Sequence, residues 1–398
     1  MKTCLLAITG SVAAMKTPEV VRALQAHEFD VHCVLTDSGA RFVTPEALAA
    51  MSGNAVHANR FFQNIPPGGI LAEPDYTHLT WAKKADVIVL APASADSIAR
   101  VAAGRANGVF EAAILAAKCP VLVAPAMNSA MLQAAATQDN IRTLGSRSIQ
   151  VLPTEHGELA CGEYGPGRLL APDEIALCAK RAVTRPSLAG KKVLITLGGT
   201  RECLDPVRFL GNASSGKMGV ALATEAFVRG AEVTLIAGAI ETPLPNLFTK
   251  IEKVASANEM LKAAKKYFVK SDIAVFAAAV ADFAPQSAAS AKLKSAKTLD
   301  LKLVKTPDIA AELGRIKKKG QQTIGFALES ETGEAAWRSA RSKLAHKQFD
   351  AIFVNPVTTL GSEDAQGTWL TATEAHGLSG SKPDLAGQLW QRIEALAP

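Results

Sequence analysis

The chain has 398 residues, 48% hydrophobic and 20% charged, enough apolar material for two or three domains and unlike a disordered protein. Lys and Arg number 43 against 37 Asp and Glu, and the net +6 lies wholly in the second half: residues 1–185 carry 16 of each sign, residues 186–398 carry 27 basic and 21 acidic. No apolar run nears the ~20 residues of a membrane span, the six cysteines lack metal or framework spacing, and 5% aromatics among scattered lysines argue against nucleic acid. The composition therefore predicts a cytoplasmic protein with reduced thiols, no membrane or nucleic-acid partner, and a second half that handles a polyanion such as a triphosphate.

Apolar runs alternate with helical patterns from the N-terminus onward. Residues Thr3–Thr9 read as a strand, Thr17–His27 as a helix opened by Pro18, and Val31–Leu35 as the next strand. A helix start at Pro45–Met51 follows, then strand Asp86–Leu90, helix Ser94–Ala103, and strands Val121–Ala124 and Ile149–Pro153. Proline, glycine and charge over Arg185–Lys192 predict a linker between domains 1–185 and 191–398. Beyond it the alternation restarts with strand Lys192–Leu197, helix Gly216–Arg229 and strand Glu232–Ala237. Strands Ile273–Ala281 and Thr323–Ala327, helix Gly333–His346 and strand Ala351–Val354 complete the pattern. Short buried strands separated by helices predict two α/β domains with parallel sheets covered on both faces.

Ligands in such folds bind at loops beyond the carboxyl ends of the strands. Three first-half loops are rich in Gly, Ser and Thr: Thr9–Ser11, Thr36–Gly39 and Ala91–Ser97. Together they suit a phosphate held by helix N-terminal amides, although each also reads as a helix cap. Pro125-Ala126-Met127-Asn128 follows a strand, and Ala160-Cys161-Gly162 through Gly167-Arg168 surrounds one cysteine with glycines. A turn and a buried thiol would explain both segments; so would a hinged flap carrying a proton donor. No G-x-G-x-x-G occurs, which removes support for a nicotinamide oxidoreductase.

The second half opens with Thr196-Leu197-Gly198-Gly199-Thr200-Arg201-Glu202, then Asp205-Pro206-Val207-Arg208, then Asn212-Ala213-Ser214-Ser215-Gly216-Lys217-Met218-Gly219. Ser-Ser-Gly amides at a helix start beside Lys217 suit an anion, without P-loop spacing. Asp282 ends a very apolar strand, a position open to a Mg2+ ligand, a ribose contact or a simple cap. Lys343 and Lys347, four apart on a predicted helix, face one way, as a solvated face or as part of a triphosphate clamp with Asp282 and Lys292.

These motifs resemble two families across nearly the whole chain. The first half resembles the flavin-dependent cysteine decarboxylases, and the second the phosphopantothenate–cysteine ligases, fused as in the bifunctional bacterial family of coenzyme A biosynthesis. The resemblance implies two Rossmann-like three-layer α/β domains with mainly parallel sheets, a flavodoxin-like flavoprotein domain followed by a ligase domain. It implies FMN at Gly10, Ser11, Ser38 and Ser94, with the substrate's thiol oxidised to a thioaldehyde so that CO2 leaves and the product is then reduced. His78 would position or move a proton, Asn128 would bind the substrate carboxylate, and Cys161 would protonate the enethiolate. In the ligase, 4′-phosphopantothenate is activated by CTP and Mg2+ as an acyl-cytidylate, and cysteine then attacks. Asn212 matches the residue associated with that intermediate, and Lys292 the loop lysine that neutralises phosphate charge. Asp282, Phe326, Lys343 and Lys347 match nucleotide contacts, with Asp282 also a metal ligand, and Pro307, Asp308 and Ile309 match the loop near cytosine. The family further implies a homo-oligomer of twelve chains, built from trimeric decarboxylase and dimeric ligase contacts.

Overall fold

Aliphatic and β-branched runs become the buried strands of two compact units, Met1–Thr184 and Arg185–Pro398, in a computed structural model that describes residues 1–61, 77–294, 298–329 and 334–396. In the first unit, β1 (Lys2–Ile8), β2 (Phe29–Leu35), β3 (His57–Ala58), β4 (Val87–Ala93), β5 (Val121–Pro125) and β6 (Gln150–Val151) form one sheet. Its order is β3-β2-β1-β4-β5-β6, with every neighbouring pair parallel. That is the Rossmann order, whereas flavodoxin itself runs 2-1-3-4-5; the three-layer arrangement is common to both.

Alternation along the strands builds the layers. Leu5, Ala7, Ile88, Leu90, Val121 and Val123 share one core with Trp81, Ile98, Phe110 and Leu144 from helices on one face. The intervening Leu6, Ile8, Val89 and Leu122 are equally buried, so both faces of the sheet are covered. Beyond β6, β7 (Glu155–Glu158) and β8 (Tyr164–Arg168) make an antiparallel ribbon, an element absent from the sequence reading.

The second unit repeats this logic on a larger sheet. Its strands are β9 (Lys192–Leu197), β10 (Arg201–Cys203), β11 (Phe209–Gly211), β12 (Glu232–Ala237), β13 (Lys250–Lys253) and β14 (Ile273–Phe276). They continue with β15 (Phe283–Pro285), β16 (Leu303–Lys305), β17 (Gln322–Glu329), β18 (Ala351–Pro356), β19 (Asp364–Leu370) and β20 (Ala375–Ser381). Eight strands run in the order β13-β12-β9-β14-β17-β18-β19-β20, and only the last two are antiparallel additions. The β10–β11 and β15–β16 pairs are separate antiparallel ribbons. Helices Lys217–Val228 and Lys382–Ala395 cover one face around Trp369 and Trp390, and the Trp390 indole donates to Leu222 O at 2.9 Å. Helices Ala257–Phe268, Ile309–Gly314 and Glu334–His346 cover the other.

Two expectations change. The strand expected over Ile273–Ala281 leaves the ladder at Phe276; beyond it the Ala277 and Ala279 N–H groups still donate to Thr196 O and Gly198 O, and the Ala281 N–H to the Thr200 hydroxyl. The expected linker is a set of turns packed on the second unit. Leu188 is buried in that unit's core and the Ser187 hydroxyl donates to Glu394 at 2.7 Å. Gly333, the expected start of the helix Glu334–His346, lies outside the described residues.

Helix Lys217–Val228 approaches β9 closely because Gly219 has no side chain; a Cβ there would lie 2.4 Å from the Leu197 Cβ. Gly219→Ala should therefore destabilise the second unit by about 1–3 kcal/mol through overpacking. Urea unfolding of the full chain measures this, and an unchanged transition for the second unit would contradict the packing described.

Candidate active sites

In each unit the strand order reverses beside the first strand, so successive crossovers go to opposite sides and leave a crevice at the carboxyl edge. In the first unit, hydroxyl groups fasten the loops around that crevice. The buried Thr9 hydroxyl donates to Pro92 O at 2.7 Å and accepts from the Ser94 N–H at 3.1 Å, tying the β1 loop to the β4 loop. The Ser11 hydroxyl donates to Ala126 O at 3.2 Å, tying the β1 loop to the β5 loop. Gly10 stands so close to the β2 loop that a Cβ would lie 2.4 Å from the Ser38 Cβ. Ser94 caps the helix Ala95–Ala102, accepting from the Ser97 N–H at 3.2 Å, so its capping and ligand-binding readings share one geometry.

A cleft of about 540 Å³ opens beside these loops, lined by Ser11, Met15, Met127, Asn128, Cys161 and Arg168 among others. Asn128 caps the short helix Ser129–Gln133, its Oδ1 accepting from the Ala130 N–H at 2.8 Å. That bond fixes the amide plane and turns Nδ2 outward. There it donates to Cys161 Sγ at 3.3 Å and Glu163 Oε2 at 2.7 Å. Cys161 itself is exposed, in the turn that joins β7 to β8.

The ribbon is gripped at its base. The Met127 N–H donates to Gly167 O at 3.0 Å and the Ser129 hydroxyl to Pro166 O at 2.6 Å. Gly167 has φ of 123°, and a Cβ would lie 2.2 Å from Met127 O, so this contact requires glycine. The two motifs the sequence presents separately thus meet through backbone.

His78 does not line this cleft, and neither do Gly10, Ser38 or Ser94. It is the second residue of the helix Thr77–Lys84, half-buried, with its ring edge-on to Phe61 at 5.3 Å. Its Nδ1 is buried and has no hydrogen-bond partner among the described residues. A buried ring nitrogen of this kind is the exception in folded chains and needs a partner.

The second unit gathers the expected nucleotide residues more completely. A cavity of about 250 Å³ is lined by Asp282, Pro307, Asp308, Ile309, Phe326, Lys343 and Lys347, all assigned from sequence. Two hydrogen bonds fasten its walls: the Thr306 hydroxyl to Ala281 O at 2.5 Å and the Thr306 N–H to Asp282 O at 3.0 Å. Neither clamp lysine is free. Lys343 pairs with Glu329 at 2.6 Å and Lys347 with Asp308 at 3.1 Å. Burial by itself would raise the Asp308 pKa, but the Ala311 N–H and Lys347 outweigh it and hold this carboxyl below its usual range. Lys305 lines the same cavity and has no carboxylate partner among the described residues, a cation the sequence reading did not assign.

Asn212 lies in an adjoining cleft of about 310 Å³ with Gly199, Thr200, Ser214 and Glu241. Its Nδ2 donates to Val280 O at 2.9 Å, and Val280 lines the Asp282 cavity, so this bond joins the two compartments. Lys217 does not face the cradle expected of it: its ammonium donates to Gly361 O and pairs with Glu363. Lys292 is exposed and lines neither compartment.

Sequence reasoning quoted Asp205 and Arg208 without a role. The Asp205 carboxylate is buried and accepts from the N–H groups of Val207 and Arg208, both at 2.7 Å, and of Leu293 at 3.0 Å. Desolvation would raise its pKa, but these amides and the Arg208 guanidinium bring it down to about 2. The Asp-Pro pair, a turn signal, was the available clue.

Residues 1–184 match the family model described as Flavoprotein, and residues 188–396 match that of the DNA/pantothenate metabolism flavoprotein C-terminal domain. The chain is 41% identical over 363 residues to the coenzyme A biosynthesis bifunctional protein CoaBC of Vibrio cholerae, covering 90% of this chain and 88% of that one. It is 40% identical over 362 residues to the protein of the same name from Escherichia coli strain K12, covering 90% and 86%. Among solved structures, the C-terminal domain of a coenzyme A biosynthesis bifunctional protein CoaBC is 35% identical, with a TM-score of 0.45, covering 52% of this chain and 96% of that one.

The Thr9 hydroxyl generates a direct test of the first crevice. Thr9→Val keeps the shape but leaves the Ser94 N–H and Pro92 carbonyl without this partner, which should cost about 1–3 kcal/mol of stability. The urea midpoint of the full chain is the measurement, and a midpoint equal to that of the parent chain would show that the hydroxyl bridge is not what holds the two loops.

Proposed function

The chain belongs to the family of coenzyme A biosynthesis bifunctional proteins, in which a flavoprotein decarboxylase is joined to a ligase, and from that premise we propose how its residues carry out the two reactions. The second unit condenses 4′-phosphopantothenate with cysteine, using CTP and Mg2+, through an acyl-cytidylate, and releases CMP and pyrophosphate. The first unit converts the resulting 4′-phosphopantothenoylcysteine to 4′-phosphopantetheine with FMN.

The residues present fit FMN. Gly10 lets the β1 and β2 loops close side by side, with Ser11, Ser38 and Ser94 around the crevice, and His78 keeps a buried ring nitrogen without a partner among the described residues. Bound there, FMN supplies the paired two-electron oxidation and reduction of the substrate. The observation that carries the reading is the contact between Asn128 and Cys161. Asn128 spends its oxygen on a helix cap, so only its Nδ2 donor remains for a substrate carboxylate, which would replace Glu163 at that position. The Cys161 thiol, 3.3 Å from the same donor, stands next to the carbon that the departing CO2 leaves behind and can deliver its proton there. His78 positions or relays a proton through Nδ1.

In the ligase, Asp282 has no side-chain partner among the described residues and stands at the nucleotide cavity, which suits a Mg2+ ion that takes one carboxylate and draws its other ligands from phosphates and water. Pro307, Asp308, Ile309 and Phe326 line the base end, and Lys343 and Lys347 face the phosphates. Asn212, hydrogen-bonded at the junction of the two compartments, is placed to hold the acyl-cytidylate whose halves they accommodate. Lys292 neutralises charge on the departing pyrophosphate.

The working form is a dodecamer in the cytoplasm, with trimeric contacts between first units and dimeric contacts between second units. Exposed Val12, Met15 and Met131 in the first unit, and Val207, Phe209 and Phe283 in the second, support such apolar contacts, and six free thiols suit a reducing compartment.

Mass spectrometry of products from purified, flavin-loaded protein given 4′-phosphopantothenate, cysteine, CTP and Mg2+ should show 4′-phosphopantetheine, CMP and pyrophosphate. Absence of turnover in both half-reactions would overturn the reading. Cys161→Ser should lower decarboxylation by about 10²-fold or more, the scale of a lost proton donor, and leave ligation unchanged. Equal loss of both activities in that variant would contradict the division of labour between the units.

A further inference from the structure

Lys292 is exposed, yet the peptide that follows it is held on both sides. The Leu293 N–H donates to Asp205 Oδ2 at 3.0 Å, and Leu293 O accepts from the Arg208 Nη1 at 3.0 Å. The same Nη1 pairs with Asp205 Oδ2 at 3.0 Å, so acid, base and peptide close a small ring. The frame beneath is rigid for a local reason. Asp205 Oδ1 accepts the N–H groups of Val207 and Arg208, and the Leu204 N–H donates to Arg208 O at 2.8 Å, making a self-contained turn. The Ala289 N–H, donating to Leu204 O at 2.9 Å, ties the approach to Lys292 to the same turn. The Asp205 side chain is 0% exposed, so water does not compete for these bonds.

We propose that Asp205 is a positioning residue for ligation: with Arg208 it latches the Leu293 peptide and thereby fixes where Lys292 emerges beside the phosphates. This rests on the reading of Lys292 as the lysine that neutralises phosphate charge. A flexible lysine on an unanchored loop would spread its charge over several ångströms, whereas a charge preset by the backbone costs no reorganisation as the pyrophosphate departs. Asp205 lines neither the nucleotide cavity nor the Asn212 cleft.

The near-isosteric change Asp205→Asn tests this in the full chain. With the amide oxygen facing Val207 and Arg208, the new NH2 group points at the Leu293 N–H and the guanidinium, donor against donor, and the latch opens. The kcat for ligation with CTP should fall about 10- to 100-fold while the KM for cysteine moves less than about threefold, as a displaced charge requires. Trypsin should cut after Lys292 about tenfold faster, because the bond it attacks ends at the latched N–H. Decarboxylation of added 4′-phosphopantothenoylcysteine should stay at the parent rate, which also reports an intact chain. Leu293→Pro removes the latched N–H while leaving the Asp205 turn untouched, and should reproduce the loss of kcat even if Asp205→Asn folds poorly. Lys292→Ala, measured alongside, separates the two ideas. Loss of ligation in Lys292→Ala with parent kcat in both Asp205→Asn and Leu293→Pro would overturn the latch and leave the reading of Lys292 standing. Retained ligation in Lys292→Ala would overturn both.

Discussion

The reversal of strand order beside β1 and again beside β9 is the constraint on which both sites depend. Parallel strands must be joined by crossovers, and crossovers leaving in opposite directions cannot cover the carboxyl edge between them. Backbone N–H groups of the loops and helix starts are left facing that gap, where they need partners. In the first unit, Thr9 and Ser11 hydroxyls satisfy part of that need and brace the loops at the same time. In the second, Asn212 and Thr306 brace the loops through the carbonyls instead, donating to Val280 O and Ala281 O. The bracing residues are small and polar because a bulky side chain would fill the space a ligand requires.

Charge is handled differently from what a simple sum suggests. The second half carries the whole net excess, yet three of its lysines are paired: Lys343 with Glu329, Lys347 with Asp308, Lys217 with Glu363. Such partly exposed pairs contribute only about 0–1 kcal/mol each, so a phosphate can replace the carboxylate at little cost. Pairing also fixes where the lysine side chains lie. Asp205 stands apart: its partners are chiefly backbone amides, fixed in place, and a substrate has no reason to displace them.

The residues expected at both sites were legible as motifs, and their expected roles came from the family resemblance those motifs carry. The Asn128, Cys161 and Asn212 motifs stand in loops after apolar strands, and the residues from Asp282 to Lys347 match the family's nucleotide contacts. Seven of those residues do line one cavity. His78 was legible as a motif residue, but its orphan Nδ1 was not, since that depends on the burial around it. Lys217 reads as part of an anion cradle, yet its ammonium turns to Glu363, which is 146 positions away in the chain. The apolar run Ile273–Ala281 reads as one strand, whereas β14 ends at Phe276 where the chain leaves the ladder to wall the cavity.

The sequence by itself determined the α/β alternation, the two-unit organisation and which polar residues stand in the loops after the strands, because periodicity and residue type are local properties. Tertiary structure alone decided which of those groups meet. That Asn128 faces Cys161 depends on Gly167 passing within contact of Met127 O, and that the Lys292 loop is anchored depends on Asp205 reaching the Leu293 N–H, 88 positions along the chain. Such contacts are made by backbone groups common to every residue, so no pattern of side chains announces them, and only the folded chain brings donor and acceptor together.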